Sequence, residues 1–175
     1  MSEVMSEVMS DDEPAPRANI LWVDADACPL ALRGILNKAA RRTGVELVYV
    51  ANHAIPVPAD KNIRALRVAA GFDVADDEIV RSVQAGDLVV TGDIPLAGEV
   101  MAKGCEAVSP RGIRYDDDTI GQRLAVRDFM DTMRSSAVKS QSGHVSGMGG
   151  GPPPFGPKEK QAFANVLDRW LARRR

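Results

Sequence analysis

Between residues 20 and 108 short apolar runs alternate with segments of helical periodicity. That alternation leaves few folds open. It predicts a three-layer α/β domain, a mainly parallel sheet with right-handed crossovers and helices on both faces. The first run, ILWVD at 20–24, is apolar on both sides and ends in an acid. It reads as a buried parallel strand whose last residue reaches the sheet rim. Pro29 suits the first turn of a helix over about 29–42 that puts Leu32, Ile35, Leu36 and Ala39 on one face, and Gly44 ends it. ELVYVA at 46–51 and LVVT at 88–91 read as further strands, and 105–108 as a last short one.

Residues 60–70 read as a helix with Ile63, Leu66, Arg67 and Ala70 on one face. A short strand, FDV, then leads into a helix over DDEIVRSVQ, whose acids sit where the helix dipole favours them. Helices are also expected over 94–103, over 117–134 and over 158–173, the last with Phe163, Val166, Leu167 and Trp170 on one stripe. One domain therefore spans 19–134, with the closing helix of 158–175 packing on it. Residues 1–18, with a tandem SEVM repeat and a net charge of −4, read as a disordered acidic leader. Residues 135–157, rich in Ser, Gly and Pro, read as a flexible connection.

Composition removes several function classes. Hydrophobic residues are 45% of the chain but aromatics only 5%, so the core is aliphatic and recognition of single strands by stacking is weakly supported. Two cysteines, Cys28 and Cys105, are too few for a disulfide framework, and no CxxC pair suggests zinc. No apolar run approaches the roughly 20 residues needed to span a membrane, and the N-terminus lacks a signal pattern. A soluble, cytoplasmic protein is expected. The last 18 residues carry a net +4, which reads as a solvated helix end. The sequence does not set the oligomeric state.

In doubly wound sheets, sites lie outside the carboxyl ends of the strands. Asp24 and Asp26 follow the first strand, Asp93 follows the LVVT strand, and Asp76, Asp77 and Glu78 open the helix between them. Carboxylates converging there repel and raise one another's pKa. A divalent cation removes that cost, and oxygen-only ligands favour Mg2+ or Mn2+ over zinc. Asp76 alone also fits a helix cap, and Asp87 after Gly86 fits a turn.

The segments WVDADACP (22–29), VANHAIPVP (50–58), IRALRVAAGFDVADDEIV (63–80), GDLVVTGDIPLA (86–97), SPRGIRYDDDTIGQRL (109–124), RDFMDTMR (127–134) and GGPPPFGPKEKQAFANVLDRWL (150–171) resemble the YaiI/YqxD family of small bacterial proteins, which stands beside PIN-like nuclease domains. The resemblance spans about 20–171. It implies a PIN-like fold with acids at Asp24 and Asp26, then Asp76 or Asp77, then Asp93, and the Thr91–Asp93 pair resembles the T-x-D strand end of PIN domains. The implied activity is Mg2+- or Mn2+-dependent hydrolysis of phosphodiesters, with RNA as partner and Asp24, Asp26 and Asp93 as catalytic residues. Asn52, Lys61, Arg64, Arg67, Thr91 and Arg111 are candidate substrate contacts, since hydroxyls and guanidinium groups suit phosphate oxygens.

Two alternatives accompany this reading. A phosphatase of the haloacid-dehalogenase type also places D-x-D after an apolar first strand, with Asp24 as nucleophile and Asp26 as general acid; Asp116–Asp118 fits its remaining role poorly. The domain also fits a non-catalytic binder of RNA or protein. His53 reads as an exposed loop residue, and Cys28, Trp22 and Trp170 as packing residues.

Overall fold

The computed structural model describes residues 17–71, 73–121 and 155–173. Five strands form one all-parallel sheet in the order β3-β2-β1-β4-β5. They are β1 Ile20–Asp24, β2 Glu46–Ala51, β3 Ile63–Arg67, β4 Leu88–Val90 and β5 Glu106–Val108. The helices are α1 Leu30–Thr43, α2 Val74–Ser82, α3 Ile94–Ala102 and α4 Pro157–Arg173. A further helix starts at 117 and runs to 121, the last residue described before 155.

Strand side chains alternate between two apolar layers, as a sheet covered on both faces requires. Leu21, Val23, Leu47, Tyr49, Leu88 and Val90 pack with Leu32 and Leu36 of α1 and Phe163, Leu167 and Trp170 of α4. Ile20, Trp22, Val48, Val50 and Val89 face Ile79 of α2 and Leu96, Ala97 and Val100 of α3. Each large apolar side chain fully buried contributes ~1.5–3 kcal/mol, so the closing helix is held by Phe163, Leu167 and Trp170, all essentially inaccessible. Trp170 also donates its indole N–H to the Gly86 carbonyl at 2.9 Å.

The chain reverses direction across the sheet between β1 and β4. β1 pairs with β2 on one side and β4 on the other. This is the topological switch point, where loops diverge and leave a crevice at the carboxyl ends of the strands.

The helix expected over 60–70 is instead strand β3. Its register on β2 runs Leu47↔Ile63 to Ala51↔Arg67. Only Ile63 is buried, and Arg64, Ala65 and Arg67 are exposed, the pattern of an edge strand with charged residues outward. The open hydrogen-bonding edge of β2 overrides the local helical spacing. FDV is not a strand among the described residues: Asp73 is a turn residue with φ 64, and α2 starts after it. Asp tolerates this left-handed conformation because its short side chain bonds locally.

Arg17, read as part of the leader, is docked. Its guanidinium bonds both oxygens of Asp87 at 3.0 and 2.8 Å. Asp87 is a turn residue as expected, yet it is fully buried and also accepts N–H bonds from Ile20, the Trp22 indole and Gln84, each at 2.9 Å. Burial pushes its carboxyl up, but Arg17 and the N–H donors of Gln84, Ile20 and Trp22 outweigh this and hold it below the usual range. The knot lies at the amino end of β1, far along the strands from the crevice. Residues 1–16, 122–134 and 135–154 of the expected leader, helix and connection lie outside the described residues.

Candidate functional site

Each acid at the crevice is placed by a separate element. Asp24 is the last residue of β1, and its side chain is 6% exposed. The Thr91 hydroxyl, just past β4, donates to Asp24 Oδ2 at 2.9 Å. The same hydroxyl oxygen accepts the backbone N–H of Asp93 at 2.9 Å. Asp93 is the N-cap of α3, with Oδ1 accepting the Leu96 N–H at 3.0 Å. Asp76 comes from the first turn of α2. A hydrogen-bonded line therefore runs Asp93–Thr91–Asp24 across the switch point.

These side chains line one cleft of about 410 Å3, together with Asp26, Asn52, Asp73 and the backbone of Gly92. Five carboxylates and no cation are among the lining residues. The electrostatic strain is visible in the titrations. Burial pushes the Asp76 carboxyl up to about 7, helped by the charges of Asp24, Asp93 and Asp73 and by contact with the Asp93 carboxyl. Burial likewise raises Asp24, the Thr91 hydroxyl opposes that, and Asp26 and Asp93 add to it.

Asp26 sits on the exposed rim. Its Oδ1 lies 3.1 Å from Nδ1 of His53, and its Oδ2 accepts the Asn52 N–H at 3.4 Å. His53 is exposed as expected, but it is held by this pair and is not a loose loop residue. Asp77 lines a neighbouring depression with Asp73, Asp76, Asp93 and Glu99, so Asp76 is the acid shared by both hollows.

The basic candidates do not gather. On one helix Lys61, Arg64 and Arg67 would have shared a face; the strand separates them. Lys61 lies in the turn before β3, and Arg64 is 3.5 Å from Glu46 at the amino end of the sheet. Arg67, at the carboxyl end of β3, lines a depression with Asp77 and Glu78. Arg111 lies in a separate hollow that meets the acidic cleft at Gly92. Asp116 is engaged in capping, accepting the Thr119 N–H at 2.6 Å. Cys28 is buried, with its thiol pushed up to about 12 by burial, so no thiolate forms there.

Sequence reasoning missed Asp73, because FDV read as a strand. The signal was the G-x-D turn directly before a helix start.

The donor set suits a hard divalent cation: carboxylate oxygens with an amide nearby. Among the described residues no three His, Cys, Asp or Glu side chains stand close enough to enclose an ion by themselves. This agrees with Mg2+, which keeps several waters and is held by one or two carboxylates rather than a full protein cage. The raised Asp76 carboxyl marks a place where a proton now does what a cation does better.

The family described as "Uncharacterized BCR, YaiI/YqxD family" matches residues 22–173. The chain is 58% identical over 154 residues to a UPF0178 protein of Thioalkalivibrio sulfidiphilus, covering 88% of this chain and 99% of that one. It is 56% identical over 154 residues to a UPF0178 protein of Vibrio campbellii, with the same 88% and 99% coverage. The solved structure of Rae1 (YacP) from Bacillus subtilis aligns over 88% of this chain and 98% of its own at 14% identity, with a TM-score of 0.40, a likeness too distant to carry functional weight. No helix among the described residues is long and apolar enough to cross a membrane.

Proposed function

The chain belongs to the YaiI/YqxD family, and from that premise and its acidic cleft we propose that it is a PIN-like, metal-dependent nuclease that hydrolyses phosphodiesters, with RNA as substrate. One observation carries the reading: Asp24, Asp76 and Asp93 reach one crevice from three elements, and Asp76 is driven to about 7 there by burial and by the other acids. Structural carboxylates are normally neutralised by donors, as Asp87 is. These are not, and perturbed carboxylates in a cleft are functional candidates.

Asp24, Asp76 and Asp93 hold Mg2+ or Mn2+ in this reading. The ion supplies a Lewis acid that lowers the pKa of water and offsets charge on the phosphate. The chain's own residues do the positioning. Thr91 fixes the Asp24 carboxylate, and the α3 cap fixes Asp93. Asn52, exposed beside the cleft, offers its amide to a substrate oxygen. Asp26, tied to His53, keeps the rim acidic. Without a cation this cleft repels phosphate, so substrate binding and metal binding are coupled.

The test is RNA cleavage in Mg2+ and Mn2+ by wild type, Asp24→Asn and Asp93→Asn. Asn keeps an acceptor for Thr91 and a good helix cap, so both variants fold. Each loses at least about a hundredfold in rate, the scale of removing a positioned catalytic group. Cleavage that survives both substitutions overturns the proposal.

A further inference from the structure

Beside the acidic cleft lies a second hollow of about 310 Å3, walled by Pro29, Arg111, Ile113, Tyr115 and Phe155. The two hollows meet at Gly92. Their chemistry is opposite. The first is lined by five aspartates; the second has no acid in its walls, one guanidinium and a largely apolar surface. Gly92 forms a bare saddle between them: a Cβ built there meets only Pro110 Cδ, at 3.9 Å.

The walls of the second hollow are preorganised. Ser109 Oγ accepts the N–H groups of Arg111 and Ile113 at 3.2 and 3.1 Å. Gly112, with φ 88, sits flush on α4, where a Cβ would lie 2.5 Å from the Phe163 nitrogen. Tyr115 donates its hydroxyl to the Thr91 carbonyl at 3.2 Å, so the residue that orients Asp24 also anchors this wall. Ile113 is 39% exposed, and among the described residues the other exposed large apolar side chain is Leu30, next to Pro29. Exposed apolar surface gathered beside a charged cleft marks an interaction site. The volume is at the low end of ligand pockets, roughly 300–1,000 Å3, enough for one nucleoside.

We propose that this hollow receives one base of the substrate strand, with the adjoining phosphate at Arg111, so that the strand crosses Gly92 and presents its scissile phosphate to the aspartates. The assignment rests on the nuclease reading and adds what that reading lacks, a place where substrate binds without a cation. Charge complementarity selects the occupant. A polyanion with flat apolar bases matches a guanidinium beside an apolar wall, while the acids next door exclude phosphate until an ion is present. Glu159, whose carboxyl is lowered first by the Gly156 N–H and also by Arg111, is the acid a phosphate would compete with.

The experiment measures binding of a fluorescein-labelled RNA hexamer and of an abasic ribose-phosphate hexamer by anisotropy, with Ca2+ replacing Mg2+. Variants are Ile113→Ala, Arg111→Ala, Gly92→Leu and Asp93→Asn, each checked by thermal unfolding. Ile113→Ala weakens the RNA hexamer at least about fivefold, the low end for one stacked base, and leaves the abasic hexamer unchanged. Arg111→Ala weakens both. Gly92→Leu, at a position with room and no positive φ, slows cleavage of the RNA hexamer with its Tm retained. Equal effects of Ile113→Ala on both hexamers, or none on either, overturn the base site. So does a fall in its Tm with RNA binding intact, which makes the hollow a packing seat. Asp93→Asn separates the two claims. Cleavage lost with the base-site variants silent sinks only the base site. Wild type that binds no RNA sinks both.

Discussion

Asp76→Asn is expected to stabilise the metal-free protein while removing its response to cations. The Asp76 carboxyl is displaced from its ordinary 3.8 to about 7. At 1.36 kcal/mol per pH unit, full ionisation in the fold costs about 4 kcal/mol before screening. The group is only half-buried, and solvent screens such terms heavily, so about 1–2 kcal/mol is the magnitude expected. The sign follows from linkage. Below the unfolded value both states keep the proton and the group is neutral to stability. Between 3.8 and about 7 the unfolded state releases it first, so stability falls as pH rises, and the full penalty is present above about 7. Removing the carboxylate therefore raises Tm at pH 8 by about 2–8 °C at 2–4 °C per kcal/mol for a chain of this size, and changes little at pH 3.5. Magnesium raises the wild-type Tm at pH 8 more than at pH 5.5, because it displaces the Asp76 proton. The variant loses most of that rise. The assay is thermal unfolding in EDTA and in 5–10 mM Mg2+, about the range where weak sites fill. A less stable Asp76→Asn protein at pH 8 in EDTA, or a cation response equal at both pH values, refutes the reasoning.

Thr91→Val removes the donor that opposes the rise of the Asp24 carboxyl. A hydrogen bond to a charged group contributes about 1.5–3 kcal/mol, so the pH at half-maximal Mg2+-dependent cleavage should move up by about one unit, read from a pH–rate profile. Asp87→Ala leaves three buried N–H donors and Arg17 without their acceptor. Loss of about 3–5 kcal/mol follows, seen as a Tm drop on the order of 10 °C. Because the folded Asp87 carboxyl is held low, its stabilisation is present above the unfolded value and is lost only as pH falls through the folded one; the difference between wild type and variant should therefore narrow in acid.

The switch point was legible because ILWVD and LVVT are apolar on both faces and end at acids. Two such strands in a parallel sheet place their carboxyl ends together whatever the intervening elements do. Thr91, read beside Asp93 as a carboxylate-orienting hydroxyl, stands in that role toward Asp24. The segment 60–70 was misread because an edge strand needs only one covered face. Its few apolar residues, Ile63, Leu66 and Ala70, fall at helical spacing by chance. That error put Lys61, Arg64 and Arg67 on one surface, which the strand takes apart. Asp73 was lost for a related reason: its left-handed turn is set by how α2 packs, not by FDV itself. The role of Asp87 was invisible for a third reason. Its partners Arg17, Ile20 and Trp22 lie 65–70 residues away in sequence, and no local pattern reports such a distance.

Diffraction from crystals soaked in Mn2+, with data collected at the manganese edge, tests the central claim most directly. The account predicts an anomalous peak among the carboxylates of Asp24, Asp76 and Asp93, absent from an Asp24→Asn crystal treated alike. Crystals saturated with Mn2+ that show density only elsewhere on the molecule would contradict it.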